Sequence, residues 1–173
     1  MQPLCHPPGG FIVSVPSAGT PFGFYVPLDK SYQIAPPAGW IVIPSCEASV
    51  EFRSRISDQG HWPGMFIAKE AAEESQLEGA AKINALAAQD RKDFRFVLGE
   101  PLDLPFGRAY LVVYEHDFQN LRMRTAEAHF VQDGMRYWAP FNALAETFDR
   151  HFPAYLDCLK TFSHLGRNGS TCN

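Results

Sequence analysis

A chain of 173 residues, 46% hydrophobic and 20% charged, is long enough for one domain with a proper core and too apolar for wholesale disorder. Its formal charge of −4 argues against general nucleic-acid binding, which depends on Lys and Arg at phosphates, and against a polybasic membrane anchor. No apolar run approaches the ~20 residues that span a bilayer, so membrane insertion is not expected.

The first ten residues, MQPLCHPPGG, carry neither the basic start nor the apolar stretch of a secretory signal, which points to a cytoplasmic protein. Cys5, Cys46, Cys158 and Cys172 are widely spaced without a C-x-x-C pair, so they read as free thiols in a reducing compartment. Residues 1–29 are rich in Pro and Gly and hold two short β-like runs, FIVSV and FGFYV. Because that density of Pro and Gly interrupts sheet ladders, the segment is expected to be an arm outside the domain.

The domain itself is expected over 30–164. Short strands are predicted at 31–35, at 40–44 after a Pro-Pro-Ala-Gly turn, at 48–54 and at 65–69. Residues 73–89 carry the clearest helical signal: Leu77, Ala80, Ile83 and Ala87 form one stripe, and acidic residues open the first turn. A strand over 93–98 follows, then a turn at Gly99, Glu100 and Pro101. Past residue 140, Asn142 is the predicted N-cap of a helix carrying Leu144, Phe148 and Phe152. Pro153 is expected to kink or restart that helix, and Tyr155, Leu156, Leu159 and Phe162 continue its apolar stripe. Residues 165–173 read as a disordered tail, and the sequon at Asn168 is of a kind frequent by chance.

Between Pro105 and Pro140 the sequence predicts a three-stranded antiparallel meander. Asp133-Gly134 is a strong hairpin signal, because both central residues of such a turn need positive φ. It pairs Phe130 with Tyr137 and His129 with Trp138. With Phe118 and Gln119 at the centre of the earlier turn, Glu115 pairs with Arg122 and Val113 with Arg124. The two-residue period then sorts the side chains. One face collects Ala109, Leu111, Val113, Ala126, Ala128, Phe130, Tyr137 and Ala139, with Glu115, Arg122 and Arg124 at one end. The other collects Tyr110, Val112, Tyr114, His116, Leu121, Met123, Thr125, Glu127, His129 and Trp138. The first suits a covering helix; the second is aromatic and amphipathic.

This order of elements, with YQIAPPAGW at 32–40, LPFGRA at 104–109, VQDGMRY at 131–137 and the run from Phe148 to the closing Thr161, Phe162 and Ser163, resembles the PsbP/Mog-like group. That group takes in the photosystem accessory protein PsbP, the Ran-binding Mog protein, DcrB-type bacterial lipoproteins and the Eag chaperones of type VI secretion. The resemblance implies an α+β fold, an antiparallel β-sheet flanked by helices in an α/β/α sandwich. It also implies a non-catalytic accessory protein, chaperone or assembly factor. The missing signal leans away from the exported lipoprotein form.

Catalytic signatures are absent: there is no P-loop, G-x-G-x-x-G, G-x-S-x-G or H-E-x-x-H. The rival reading is a small metal-dependent hydrolase centred on His116, flanked by Glu115 and Asp117. Adjacent strand residues point to opposite faces, so these three do not converge without a bulge. Cys158 and His151 are seven positions apart on a helix, too far for a nucleophilic pair. The sequence therefore predicts no enzyme, no cofactor and no metal. It predicts a partner-binding face of Tyr110, Tyr114, Met123, His129 and Trp138, which receives an apolar segment of another protein or of a second copy of this chain.

Overall fold

The computed structural model describes residues 11–13, 23–27, 29–43, 50–71, 81 and 88–165. Its strands are β1 (Phe11–Val13), β2 (Phe24–Val26), β3 (Tyr32–Gln33), β4 (Trp40–Ile43), β5 (Val50–Ser54), β6 (Gly64–Ala71), β7 (Arg95–Leu104), β8 (Gly107–Phe118), β9 (Leu121–Gln132), β10 (Met135–Leu144) and β11 (Ser163–His164); one helix, α1 (Phe148–Lys160), lies between β10 and β11. The main sheet has seven strands in the order β4-β5-β6-β10-β9-β8-β7, all neighbours antiparallel. With α1 on one face and the helical residue Ala81 packed on the other, this is the expected α+β arrangement of an antiparallel sheet flanked by helices.

The meander forms, and the Asp133-Gly134 turn sets the predicted register: Phe130 opposite Tyr137 and His129 opposite Trp138. The earlier turn is centred one residue beyond the predicted one, which moves the pairing by two. Gln119 and Asn120 take φ of 51° and 65°, the left-handed pair that a two-residue hairpin needs. Glu115 therefore pairs with Arg124, and Asp117 with Arg122. A slip of two leaves every side chain on its predicted face, since the strand period is two.

The face carrying Ala109, Leu111, Val113, Ala126, Ala128, Phe130 and Tyr137 is the main core, closed by Phe148, Tyr155, Leu159 and Phe162. Small alanines let α1 approach closely. Tyr155 fastens it: its hydroxyl accepts from the Ala128 amide at 3.1 Å and donates to the Ala139 carbonyl at 2.7 Å. Phe162, just beyond α1, sits 4.8 Å from Phe130, 4.9 Å from Tyr137 and 5.3 Å from Tyr32, measured between ring centroids.

Several expectations are corrected. Gly99, Glu100 and Pro101 do not form a turn: β7 runs through them with a bulge between Phe96 and Leu98. Proline is tolerated there because β7 is an edge strand and no neighbour needs its missing N–H. Asn142 and Leu144 belong to β10, and the helix starts only at Phe148 behind Thr147. Pro153 lies inside α1, which runs on unbroken to Lys160. The 1–29 arm is not wholly outside the domain. β1 pairs with β2, Tyr25 exchanges backbone hydrogen bonds with Ile34, and its ring joins the core 6.2 Å from Phe52. An aromatic run outweighed the local Pro and Gly. The helix predicted over 73–89 lies outside the described residues except at Ala81, which is helical, and at Ala88–Asp90, a 3-10 turn. The 166–173 tail with its sequon, and Cys5, Cys46 and Cys172, also lie outside them. Cys158 is a buried free thiol, and burial pushes its pKa up.

Candidate functional site

The second face of the sheet is floored by alternate residues of four adjacent strands. Register places Phe66 and Glu70 of β6, Arg136, Trp138, Pro140 and Asn142 of β10, Thr125 and Glu127 of β9, and Tyr114 of β8 on one side. With Arg91 at the rim they line a cleft of about 460 Å³. Phe66 and Asn142 also line a second cavity of about 290 Å³, walled by Glu51, Arg53, His61, Trp62 and Met65. The two cavities border one another at Phe66 and Asn142. Pro140 interrupts the ladder between β10 and β6, where no pairing joins Ala139 or Pro140 to β6.

At the cleft floor stands a buried carboxylate, Glu127, only 7% exposed. The Tyr114 hydroxyl donates to Glu127 Oε1 at 2.8 Å, and His129 Nε2 lies 3.3 Å from Oε2. Burial by itself would raise the Glu127 pKa. The hydrogen bonds from His129 and Tyr114, with the charges of His129 and Arg91, outweigh it and hold the carboxyl below its usual value. Burial, then the Glu127 charge, pushes the Tyr114 hydroxyl far above its ordinary range. Beside them Thr125 Oγ1 donates to Asn142 Oδ1 at 2.7 Å.

Aromatic rings and guanidinium groups form the walls. Phe66 meets Trp138 edge-on at 6.0 Å, and Arg136 lies over the Trp138 ring at 5.9 Å. Arg91 lies over Tyr114 at 5.5 Å, with Phe94 5.4 Å from the same ring. Arg136 Nη2 pairs with Glu70 Oε1 at 2.6 Å.

Of the five residues predicted to form the binding face, Tyr114 and Trp138 line the cleft, and His129 lies beneath it, bonded to Glu127. Tyr110 is half-buried one strand over, and Met123 is buried opposite Leu144 and His116. Tyr114, Met123 and His129 are thus interior side chains, not an open surface. They sit on central strands, where Ala81 packs on Val112 and Tyr114. Sequence reading missed Arg136, Glu70, Phe66 and Arg91 as members. The signal for Arg136 was present, because its pairing with Val131 puts it on the face of Trp138.

The acidic-histidine cluster disperses. Glu115 turns to the helix face, held by Arg95 at 2.8 Å, Arg124 at 2.7 Å and Arg122 at 3.2 Å. Asp117 pairs with Arg122 at 3.1 Å. His116 faces the other way, 3.4 Å from Arg91, and burial with the Arg91 charge lowers its pKa. Among the described residues no three His, Cys, Asp or Glu side chains come together as a metal site. Each Glu127 oxygen has a partner, Tyr114 at Oε1 and His129 at Oε2.

The antiparallel sheet flanked by helices is a PsbP-like α+β fold. The chain is similar to cyanobacterial PsbP (CyanoP) from Synechocystis sp. PCC 6803, with a TM-score of 0.61 and 14% identity over 88% of this chain and 98% of that one. It is equally similar to LpqN of Mycobacterium tuberculosis, a protein involved in cell envelope biogenesis, at 0.61 and 12% over 90% of each. A putative regulator from Pseudomonas aeruginosa, PA94, follows at 0.53 and 10%, over 88% of this chain and 94% of that one. At such identities the likeness is one of fold. No protein-family model matches the sequence, and no curated protein does either. No helix among the described residues is long and apolar enough to cross a membrane.

Proposed function

We propose that this protein is a non-catalytic accessory protein, a chaperone or assembly factor, that holds a segment of a partner protein against the second face of its sheet. The observation that carries the reading is the cleft of about 460 Å³ over β6, β10, β9 and β8, walled by Phe66, Trp138 and Tyr114. Its size falls in the range of ligand sites, and aromatic anchors beside a few fixed polar groups are the composition of a binding surface. A second cavity borders it at Phe66 and Asn142, beside the half-exposed Trp62, which favours an elongated occupant that reaches both. The PsbP-like fold, shared with a cell-envelope protein, supports an accessory role over a catalytic one. Of the residues proposed from the sequence, Trp138 is the contact that stays open to a partner; Tyr114, buried beneath Arg91, and His129 support the floor, while Tyr110 and Met123 lie off the cleft.

In-cell photocrosslinking tests this. A photoreactive residue in place of Trp138 should give a discrete protein adduct, and one in place of Phe96, exposed on the β7 edge, should not. No adduct from position 138, or the same adducts from both, would sink the proposal.

A further inference from the structure

The polar groups of the cleft are not evenly satisfied, and the imbalance has a sign. Glu127 is fully engaged by Tyr114 and His129. Arg136 is not. Only 8% exposed, it directs Nη2 to Glu70 at 2.6 Å while its Nε finds no hydrogen-bond partner. A guanidinium presents Nε and Nη as a two-pronged edge that matches both oxygens of a carboxylate. Glu70, its side chain 53% exposed, engages one prong only. Arg91, at the rim, contacts the Tyr114 ring and the His116 ring and is ion-paired with no carboxylate among the described residues. Both guanidinium groups are stacked on aromatic rings, so their orientation is set before any ligand arrives.

Resting on the segment-binding reading above, we infer that the occupant of the cleft carries a carboxylate: an Asp or Glu side chain of the partner segment, flanked by large apolar residues. The carboxylate takes the Nε and Nη edge of Arg136, displacing Glu70 into solvent, with Arg91 closing over it. The flanking apolar side chains lie on Phe66, Trp138 and Pro140. Glu70 is then a built-in competitor that occupies the buried guanidinium while the cleft is empty. This would limit the cost of burying a charge, which is high when the charge is left unpaired. A cationic segment is disfavoured, because the aromatic faces that would receive it already hold arginines.

The test uses the full chain and acetyl-Leu-Phe-Glu-Leu-Phe-amide, with counterparts carrying Gln or Lys at the centre, followed by NMR at the Trp138 indole and the Arg136 Nε–H. The Glu peptide should saturate, move both resonances and bind about tenfold tighter than the Gln peptide, the worth of one charge-assisted bond. The Lys peptide should bind weakest. Glu70→Gln should tighten the Glu peptide by removing the competitor. Arg136→Gln should erase the Glu-over-Gln preference, and Arg91→Gln, at an exposed side chain, should reduce it even if the Arg136 variant fails to fold. Equal binding of the Glu and Gln peptides with both resonances moving would overturn the carboxylate inference and leave the segment reading standing. No movement at the cleft with any peptide would overturn both, and weaker binding by Glu70→Gln would overturn the competitor.

Discussion

Tyr114→Phe probes the cleft floor with the least disturbance. It removes one hydroxyl and keeps the ring, so packing against Phe94 and the stacked Arg91 is retained. What is lost is the 2.8 Å bond to Glu127, a buried ionised carboxylate. Hydrogen bonds to charged groups contribute about 1.5–3 kcal/mol, and no cavity term adds to this because only an oxygen leaves. Urea melts at pH 7 should therefore show a loss of about 1.5–3 kcal/mol with an unchanged m-value. The pH dependence sharpens the test. Glu127 titrates below its usual value of 4.5 in the folded protein, so its stabilising contribution is complete above that value and is lost as pH falls through the folded pKa. Removing one donor shrinks that shift. The gap between wild type and Tyr114→Phe should thus be widest near neutral pH and narrow in acid. In a Glu127→Gln background the same change should cost about 0.5–1.5 kcal/mol, the range for a neutral bond. A variant within about 0.5 kcal/mol of wild type at pH 7, as for an ordinary surface change, would refute this account of the floor.

The helix face and the β5–β6 loop give two further tests. Phe162→Ala removes a ring packed against Tyr32, Phe106, Phe130 and Tyr137; denaturant melts should show a cost of about 3–5 kcal/mol, and less than about 1 kcal/mol would mean the ring is not core. Asp58 in the loop before β6 lies 2.9 Å from His151 of α1 and 3.5 Å from Arg150. Burial alone would raise its pKa, but the bonds and charges of these partners outweigh it and hold it below 3.8. Asp58→Asn should therefore lower the melting temperature at neutral pH and converge on wild type as pH falls below 3.8; a pH-independent difference would show that the charge is not what matters.

The fold was legible where the chain states its own geometry. Asp133-Gly134 fixes a register because Asp-Gly favours the left-handed pair of a type I′ two-residue hairpin, and the observed φ values of 48° and 70° are that pair. At the other turn the left-handed pair is Gln119 and Asn120, one residue beyond the expected Phe118 and Gln119, so the pairing differs by two. The faces survived because two is the strand period. The failures at Gly99-Glu100-Pro101 and Asn142 share one cause. Turn and cap preferences are local, whereas β7 and β10 are extended by their neighbours β8 and β9. A proline with no ladder bond to donate, and an asparagine whose side chain accepts from Thr125, then cost little in a strand.

The cleft was only half legible for a reason of connectivity. Its β8 and β9 members follow from the meander, a local object with readable turns. Phe66 and Glu70 enter because β6 lies against β10, a pairing between residues about seventy positions apart that no turn specifies. Nor does hydrophobic patterning announce a buried Glu, His and Arg on a central sheet face, since a core would be cheaper with leucines there. That cost is itself an argument. The opposite face of the same strands is closed over most of its area with alanines and aromatic rings, and its buried charge, Glu115, lies at one end where Arg95, Arg122 and Arg124 pair with it. Glu127, which no arginine among the described residues pairs with, and Arg136, with an unpartnered Nε beside a half-exposed Glu70, depart from that solution at the middle of the other face. Departures from local consistency of this kind gather where a molecule meets something else, and here they gather around the cleft.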